Sequence, residues 1–214
     1  PAMSREAVVS LTRSLVEISS HEDETAAGDF IERWLREETD AGVRRDDAGN
    51  VIARREADGS QAGDSTVDVT EDSLAFVGHH DVVPPADEQV DNEGSYRIEQ
   101  RDGRLHGRGT ADMKGALAAA MLAFRDAEPA VDLVFASFVG EEEGGIGARA
   151  AIDDWFAPDR AVVVEGSTGY SVAGVTDVAV AHKGRRGSTL VASGTAGHAS
   201  RPEDADNAVY RACD

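Results

Sequence analysis

The chain has 214 residues, of which 41% are hydrophobic, so it can bury one good core and part of a second domain. Its 41 acidic residues outnumber its 21 basic residues and give a net charge of −20. Such a charge repels polyanions, so we expect no nucleic acid and no membrane among its partners. We expect a cytoplasmic protein, because no apolar run approaches membrane-spanning length, no signal peptide is evident, and the lone Cys213 cannot form an internal disulfide.

The acidic excess also bears on the medium in which the chain folds. Self-repulsion of this size destabilises a compact state unless salt screens it, and the only lysines are Lys114 and Lys183. We therefore predict a halophilic protein from a salt-rich cytoplasm, with an acidic mesophilic protein as the alternative. The same excess makes any single Asp or Glu weak evidence for a ligand.

Helical and strand patterns alternate along the chain. Val8, Leu11 and Leu15 are spaced as on one face of a helix, which Ser4 is placed to cap. A second helix is predicted around residues 30–35, with the acids of residues 22–24 in its first turn. Further helices are predicted at 113–125 and 147–155, strands at 51–55, 74–78, 133–139 and 161–164, and a solvated loop at 56–72.

This order of elements favours an α/β fold, with a mixed, mostly parallel sheet and helices on both faces. In such sheets, ligands bind beyond the carboxyl ends of the strands. His79, Glu141, Glu142 and Glu165 all lie just past predicted strand ends, so we expect their side chains to gather at one site.

Residues 78–84 (GHHDVVP) carry the first candidate ligand. His79 offers a neutral imidazole to a metal ion. Asp81 shares its strand face and can reach the second ring nitrogen, where a carboxylate fixes the tautomer. His80 points to the opposite face and is interpreted as a surface histidine.

Three more stretches share this character: GRGTADMKG (107–115), GEEEGG (140–145) and VVVEG (162–166). Together, the four stretches resemble the metal motifs of the di-zinc deacylase and carboxypeptidase family, which contains succinyl-diaminopimelate desuccinylases, acetylornithine deacetylases and glutamate carboxypeptidases. The resemblance implies a zinc-exopeptidase-like fold and two divalent metal ions. Zinc suits one imidazole with carboxylates, and Co or Mn are plausible substitutes.

The resemblance also implies the ligands of each metal ion. His79, Asp112 and Glu165 would bind one ion, while Asp112 would bridge to a second ion that Glu142 also binds. Asp112 has an alternative role as N-cap of the helix that follows it, and both roles can hold together.

The family pattern assigns the catalytic base within the run of three glutamates. Glu141 would be the general base, and Asp81 would act in catalysis through His79. Gly140 stands where the family usually has Asp, so a shifted register, with Glu142 as base and Glu143 as ligand, stays open.

The domain organisation is inferred from the same resemblance. Residues 1–177 would form the metal-binding catalytic domain, and residues 178–214 would begin an inserted α+β lid or dimerisation domain, with strands at 178–186 and 188–192. His198 matches a histidine that the family lends to the partner's active site as an oxyanion donor, which implies a homodimer. Arg185, within KGRRGS, would bind the succinyl carboxylate of a substrate.

The implied function is that of a metal-dependent amide hydrolase. It would remove the acyl group from a small-molecule N-acyl amino acid, N-succinyl-diaminopimelate foremost, by metal-activated water and a Glu base. The alternatives are an acetylornithine deacetylase, a glutamate carboxypeptidase-like exopeptidase, and a catalytically silent metal-binding or dimerisation module that would not need Glu141. The second-metal His of the family has no match here, since His21, His106 and His182 lie in other contexts, so we expect a C-terminally truncated fragment that is inactive alone.

Overall fold

The computed structural model describes residues 4–57, 72–166, 178–180 and 189–213. The chain forms two compact units, Pro1–Thr168 and Gly169–Asp214. The domain boundary predicted at residue 177 and most of the loop predicted at 56–72 lie outside the described residues.

The described residues of the first unit form seven strands. They are β1 (Gly42–Arg45), β2 (Val51–Arg55), β3 (Ser73–His79), β4 (Glu99–Arg101), β5 (Arg104–His106), β6 (Asp132–Phe138) and β7 (Arg160–Val163). Five of them make one sheet in the order β1-β2-β6-β3-β7, while β4 and β5 pair separately. β2 is antiparallel to both of its neighbours, and the other four strands all run in the opposite direction to it. This confirms the predicted mixed, mostly parallel sheet.

Helices cover both faces of this sheet, as predicted. They are α1 (Arg5–Val16), α2 (Thr25–Glu38), α3 (Gly115–Asp126) and α4 (Ile146–Asp154). A fifth helix, α5 (Ala208–Arg211), belongs to the second unit. Phe135 of β6 enters one core together with apolar residues of α1, α2 and α3. Its neighbours Val134 and Ala136 point the other way and pack with Ala151 of α4. The alternation along β6 therefore feeds two cores, one on each face.

The helix starts agree only in part with the sequence predictions. The Ser4 side chain caps α1 by accepting a hydrogen bond from the backbone N–H of Ala7, as predicted. The acids of residues 22–24 do not lie in the first turn of α2, because that helix begins at Thr25. Asp23 instead accepts a hydrogen bond of 2.8 Å from the Thr25 backbone N–H. A local side-chain bond of this kind competes with helix formation, and it moves the start of the helix along the chain.

In the second unit, Thr195 and Asp206 exchange two backbone hydrogen bonds of 2.9 and 3.0 Å. The short helix α5 follows Asn207, whose side chain caps it. Residues 178–180 and 189–192 form no strand, so the strands predicted at 178–186 and 188–192 are not found over their described residues. Apolar residues alone do not make a strand, since the backbone also needs a hydrogen-bonded neighbour. No helix of the described residues is both long and apolar enough to cross a membrane.

Candidate metal centre

The centre of the site is His79, the last residue of β3. Its side chain is only 2% exposed, and its Nε2 atom makes no hydrogen bond to a described residue. Asp112 Oδ1 lies 3.2 Å from this nitrogen and Glu141 Oε2 lies 3.9 Å from it. A buried ring nitrogen that faces two carboxylates is placed to bind a cation.

Asp81 fixes the other side of the imidazole. His79 Nδ1 lies 3.1 Å from the backbone oxygen of Asp81 and 3.2 Å from its Oδ1. The second carboxylate oxygen, Oδ2, accepts a hydrogen bond of 2.9 Å from the backbone N–H of Glu142. The contact between Asp81 and His79 Nδ1 is the one expected from the strand alternation. Through its second oxygen, Asp81 also links the imidazole to the loop that carries the glutamates.

Two sets of side chains share His79 and could each hold an ion. The ligand atoms of His79, Glu141 and Glu142 lie within 4.8 Å of one another, and so do those of His79, Asp112 and Glu165. Glu143 is in neither set, although it belongs to the described residues. The second set has the composition that the resemblance implies for one metal ion. In the first set, Glu141 and Glu142 are both within reach of the imidazole.

The charges at the site fit a divalent cation. Burial disfavours the charged form of His79, but Asp81, Glu141 and Asp112 outweigh it and raise the pKa of the imidazole to about 9. Burial, reinforced by neighbouring carboxylates and opposed by His79, raises the pKa of Glu141 and of Glu142. The site thus favours positive charge at His79, and a metal ion that bound there would replace the proton.

The Glu141–Glu142 pair lies on a glycine-rich loop between β6 and α4. Gly140 has φ +59°, a conformation in which a side chain is strained. The glutamate side chains of this loop are exposed, and Glu141 is 48% exposed. The site therefore combines a buried imidazole with carboxylates that are accessible to solvent.

Asp112 reaches the site from a distorted turn at Thr110–Lys114, where its φ and ψ of −128° and 97° are not helical. The alternative role as a helix N-cap is wrong. α3 begins at Gly115 after Lys114 and has no side-chain cap. The turn leaves the carboxylate free to face His79, so the helix start and the candidate ligand are separate features.

His80 is not a surface histidine. Its side chain is fully buried, and Nδ1 lies 2.8 Å from Ser137 Oγ of β6. Burial lowers its pKa to about 3, so the ring is neutral. His80 does lie on the opposite face from His79, as predicted, but that face is not exposed to solvent. Because helices cover both faces of the sheet, both residues are buried.

Three supporting residues were not predicted from the sequence. Lys114 is fully buried and donates a hydrogen bond of 2.6 Å from Nζ to the Ile18 backbone oxygen, and burial lowers its pKa to about 8. Glu24 Oε1 accepts a hydrogen bond of 3.2 Å from the Gly140 backbone N–H. Asn50, in the turn between β1 and β2, contacts both ends of the glutamate loop. A signal for Asn50 exists in DDAGN (46–50), a polar turn directly before the apolar start of β2, but its partners are distant in sequence.

Two further site residues were predicted, His198 and Arg185. His198 lies in the second unit, exposed, with Nδ1 2.8 Å from Ser200 Oγ. It lines an open cavity of about 710 Å³ together with residues such as Pro202 and Tyr210. Arg185 lies outside the described residues. The functions assigned to both stay predictions.

Known proteins resemble this chain in sequence and in fold. Succinyl-diaminopimelate desuccinylase from Nitrobacter hamburgensis is 34% identical over 152 residues, which cover 64% of this chain and 38% of that protein. The same enzyme from Maricaulis maris is 39% identical over 147 residues, or 63% and 36% of the two chains. The chain thus spans less than two fifths of the length of these curated relatives. Aminopeptidase PepT from Bacillus cereus has a similar fold, with a TM-score of 0.63 and 22% identity over 99% of this chain and 56% of that one.

Residues 75–206, which include the described candidate ligands, match the model of peptidase family M20/M25/M40. The match covers more than half of the chain and confirms the family resemblance inferred from the four motifs. The chain therefore belongs to peptidase family M20/M25/M40.

Proposed function

We propose that this chain carries the metal-binding part of an amide hydrolase that removes the acyl group from N-acyl amino acids. The observation that carries the proposal is the buried, hydrogen-bond-free Nε2 of His79, which faces two sets of carboxylates. The family membership supports hydrolysis of an amide bond, and the named relatives favour an N-succinyl substrate.

In this proposal the two metal ions are divalent, with zinc the first candidate. His79, Asp112 and Glu165 would hold one ion, and Asp112 and Glu142 would hold the other. The ions would polarise the scissile carbonyl and lower the pKa of a water molecule. Asp81 keeps the His79 ring oriented by its contact with Nδ1, so that Nε2 stays directed at the carboxylates.

Glu141 is the general base. Burial and the nearby carboxylates raise its pKa, which brings it closer to the range in which a carboxylate takes a proton at neutral pH. It would accept the proton of the attacking water and deliver it to the leaving amine. The exposure of its side chain leaves room for a substrate above the site.

Single alanine variants across the glutamate run test this assignment in the complete gene product. E141A should abolish turnover of N-succinyl-diaminopimelate and keep the metal content, whereas E142A should lose metal as well. E143A is the matched control, because Glu143 carries the same charge on the same loop and belongs to neither set of ligands. If E142A kept its metal while E143A lost it, the shifted register would be correct. Full activity of E141A would refute the proposed mechanism.

The remaining predictions concern the whole protein. A homodimer, in which His198 serves the partner's site, and a cytoplasmic location are kept as parts of the proposal. A preference for N-acetylornithine over N-succinyl-diaminopimelate would move the assignment to the deacetylase alternative.

A further inference from the structure

The loop that carries Glu141 and Glu142 is closed at its base by two residues, Val139 and Gly147. The Gly147 backbone N–H donates a hydrogen bond of 3.0 Å to the Val139 oxygen. We call this pair the loop neck. The Val139 N–H needs a partner outside this pair, and the Gly147 oxygen, which lies in the first turn of α4, can accept a second hydrogen bond beside that of the helix.

Asn50 supplies both partners. Its Oδ1 accepts a hydrogen bond of 3.0 Å from the Val139 N–H, and its Nδ2 donates one of 3.0 Å to the Gly147 oxygen. The second proton of Nδ2 goes to Asp46 Oδ2 at 2.7 Å. Since one end of the amide meets a donor and the other end meets two acceptors, a flipped amide would leave all three contacts mismatched.

The neck is also packed tightly against Asn50. A Cβ atom added at Gly147 would collide with Asn50 Oδ1 and would stand 2.6 Å from the Val139 oxygen, closer than real contacts allow. Asn50 itself is fully buried. The side chain of Asn50 thus fills the space beside the neck, and its removal would take away the partner of the Val139 N–H and one hydrogen bond of the Gly147 oxygen.

Backbone hydrogen bonds within the loop, such as the one from the Ile146 N–H to the Gly140 oxygen, hold its turn together but do not fix it against the rest of the chain. Gly140 and Gly144 have positive φ angles, and a Cβ at Gly144 would meet no atom within 4 Å. Outside the neck, the loop is tied by the Glu142 N–H to Asp81 and by the Gly140 N–H to Glu24. The place of the two glutamates relative to His79 thus depends on side chains from other segments of the chain.

We propose that Asn50 is a positioning residue, which sets Glu141 and Glu142 against His79 through its hydrogen bonds to Val139 and Gly147. The inference rests on the proposed function for the role of the glutamates. It assigns Asn50 no contact with substrate or metal.

Cobalt(II) binding by the 214-residue chain tests this proposal, measured by absorption titration together with hydrogen exchange of the loop amides. N50A should weaken Co²⁺ binding about 10-fold or more, the range found when residues that orient metal ligands are removed. The loop amides should also exchange faster. D46A is the matched control, because it removes one bond of Asn50 and weakens the same turn, yet leaves both bonds to the neck. Its Co²⁺ affinity and loop exchange should stay close to those of the wild type.

A double variant covers the case in which N50A does not fold. In D46N/N50D, the new amide can donate to the new carboxylate, and the Val139 N–H keeps an acceptor. Only the side-chain hydrogen bond to the Gly147 oxygen is lost, so the turn is preserved and one of the two bonds to the neck is broken. This variant should also weaken Co²⁺ binding about 10-fold.

Two results would overturn the role of Asn50: wild-type affinity in N50A or in D46N/N50D, or equal losses in N50A and D46A. If the wild type itself bound no Co²⁺, the proposed function would fail instead. The hydrogen exchange would then decide about Asn50 alone, with faster loop exchange in N50A than in D46A supporting it and equal exchange contradicting it.

Discussion

Lys114 should make the stability of the metal-free chain depend on pH in an unusual direction. Its folded pKa of about 8 lies below the ordinary value of 10.5, because burial disfavours the ammonium more than Asp81 favours it. At this lysine the unfolded chain therefore binds more protons between these two values, so the contribution of Lys114 to the free energy of unfolding should rise with pH across this window. At about 1.4 kcal/mol per pH unit, the contribution grows by about 3 kcal/mol between pH 7 and pH 10.5.

The comparison of wild type with K114M isolates this contribution. Methionine has a similar length but no charge, so the variant should lack the gain, while the loss of the bond to the Ile18 oxygen adds a pH-independent offset. Urea unfolding with a metal chelator at pH 7, 8, 9 and 10.5 measures both proteins. His79, whose pKa is raised to about 9, titrates in the same window with the opposite effect on stability, but it is present in both proteins and drops out of their difference. A difference between the two proteins that stays constant with pH would show that Lys114 is not buried as described.

The other predictions concern metal, salt and substrate. D112N should lose both metal ions and H79A mainly one, and metal analysis that finds D112N fully loaded would exclude Asp112 as the bridge. With a net charge of −20 the melting temperature should rise as KCl increases from dilute to about 1 M, and a salt-independent value would refute the halophilic reading. R185A in the complete gene product should lose about 30-fold or more in kcat/KM on a succinyl substrate, since truncating one partner of a desolvated bidentate charge pair costs roughly 2–5 kcal/mol. The kcat/KM of R185A on the acetyl analogue, which has no carboxylate at that end, should barely change. Equal losses on both substrates would make Arg185 a structural residue.

Much of the fold could be predicted because its elements are marked by local patterns. The apolar run that ends at Phe138 and the helical spacing around Leu15 both appear as expected. β1 was missed, since its sequence GVRR is short and half charged, and only its pairing with β2 makes it a strand. The start of α2 was missed for a different reason, because the side chain of Asp23 binds the backbone where the helix would otherwise begin.

In the candidate site, too, the features marked by nearby residues could be predicted, whereas those that depend on residues distant in sequence could not. His79 and Asp81 could be paired from their spacing on one strand. The burial of His80 could not be predicted, because it depends on the covering of that face of the sheet and on contact with Ser137, 57 residues further along the chain. Asn50 was out of reach, since its partners Val139 and Gly147 lie 89 and 97 residues further along the chain. Local pattern therefore identified the candidate ligands, but not the residues that support them.

The edge strand β7 has a consequence for how the chain behaves in concentrated solution. All four of its residues are exposed, Val163 by 62%, and among the described residues β7 pairs only with β3. At low ionic strength the large negative charge keeps such edges apart, whereas at 1 M salt the electrostatic repulsion extends only about 3 Å. Two molecules could then join their sheets edge to edge. Colloidal stability and folding stability should therefore respond to KCl in opposite directions, and the concentration that gives the highest melting temperature should not be the one that keeps the chain monomeric.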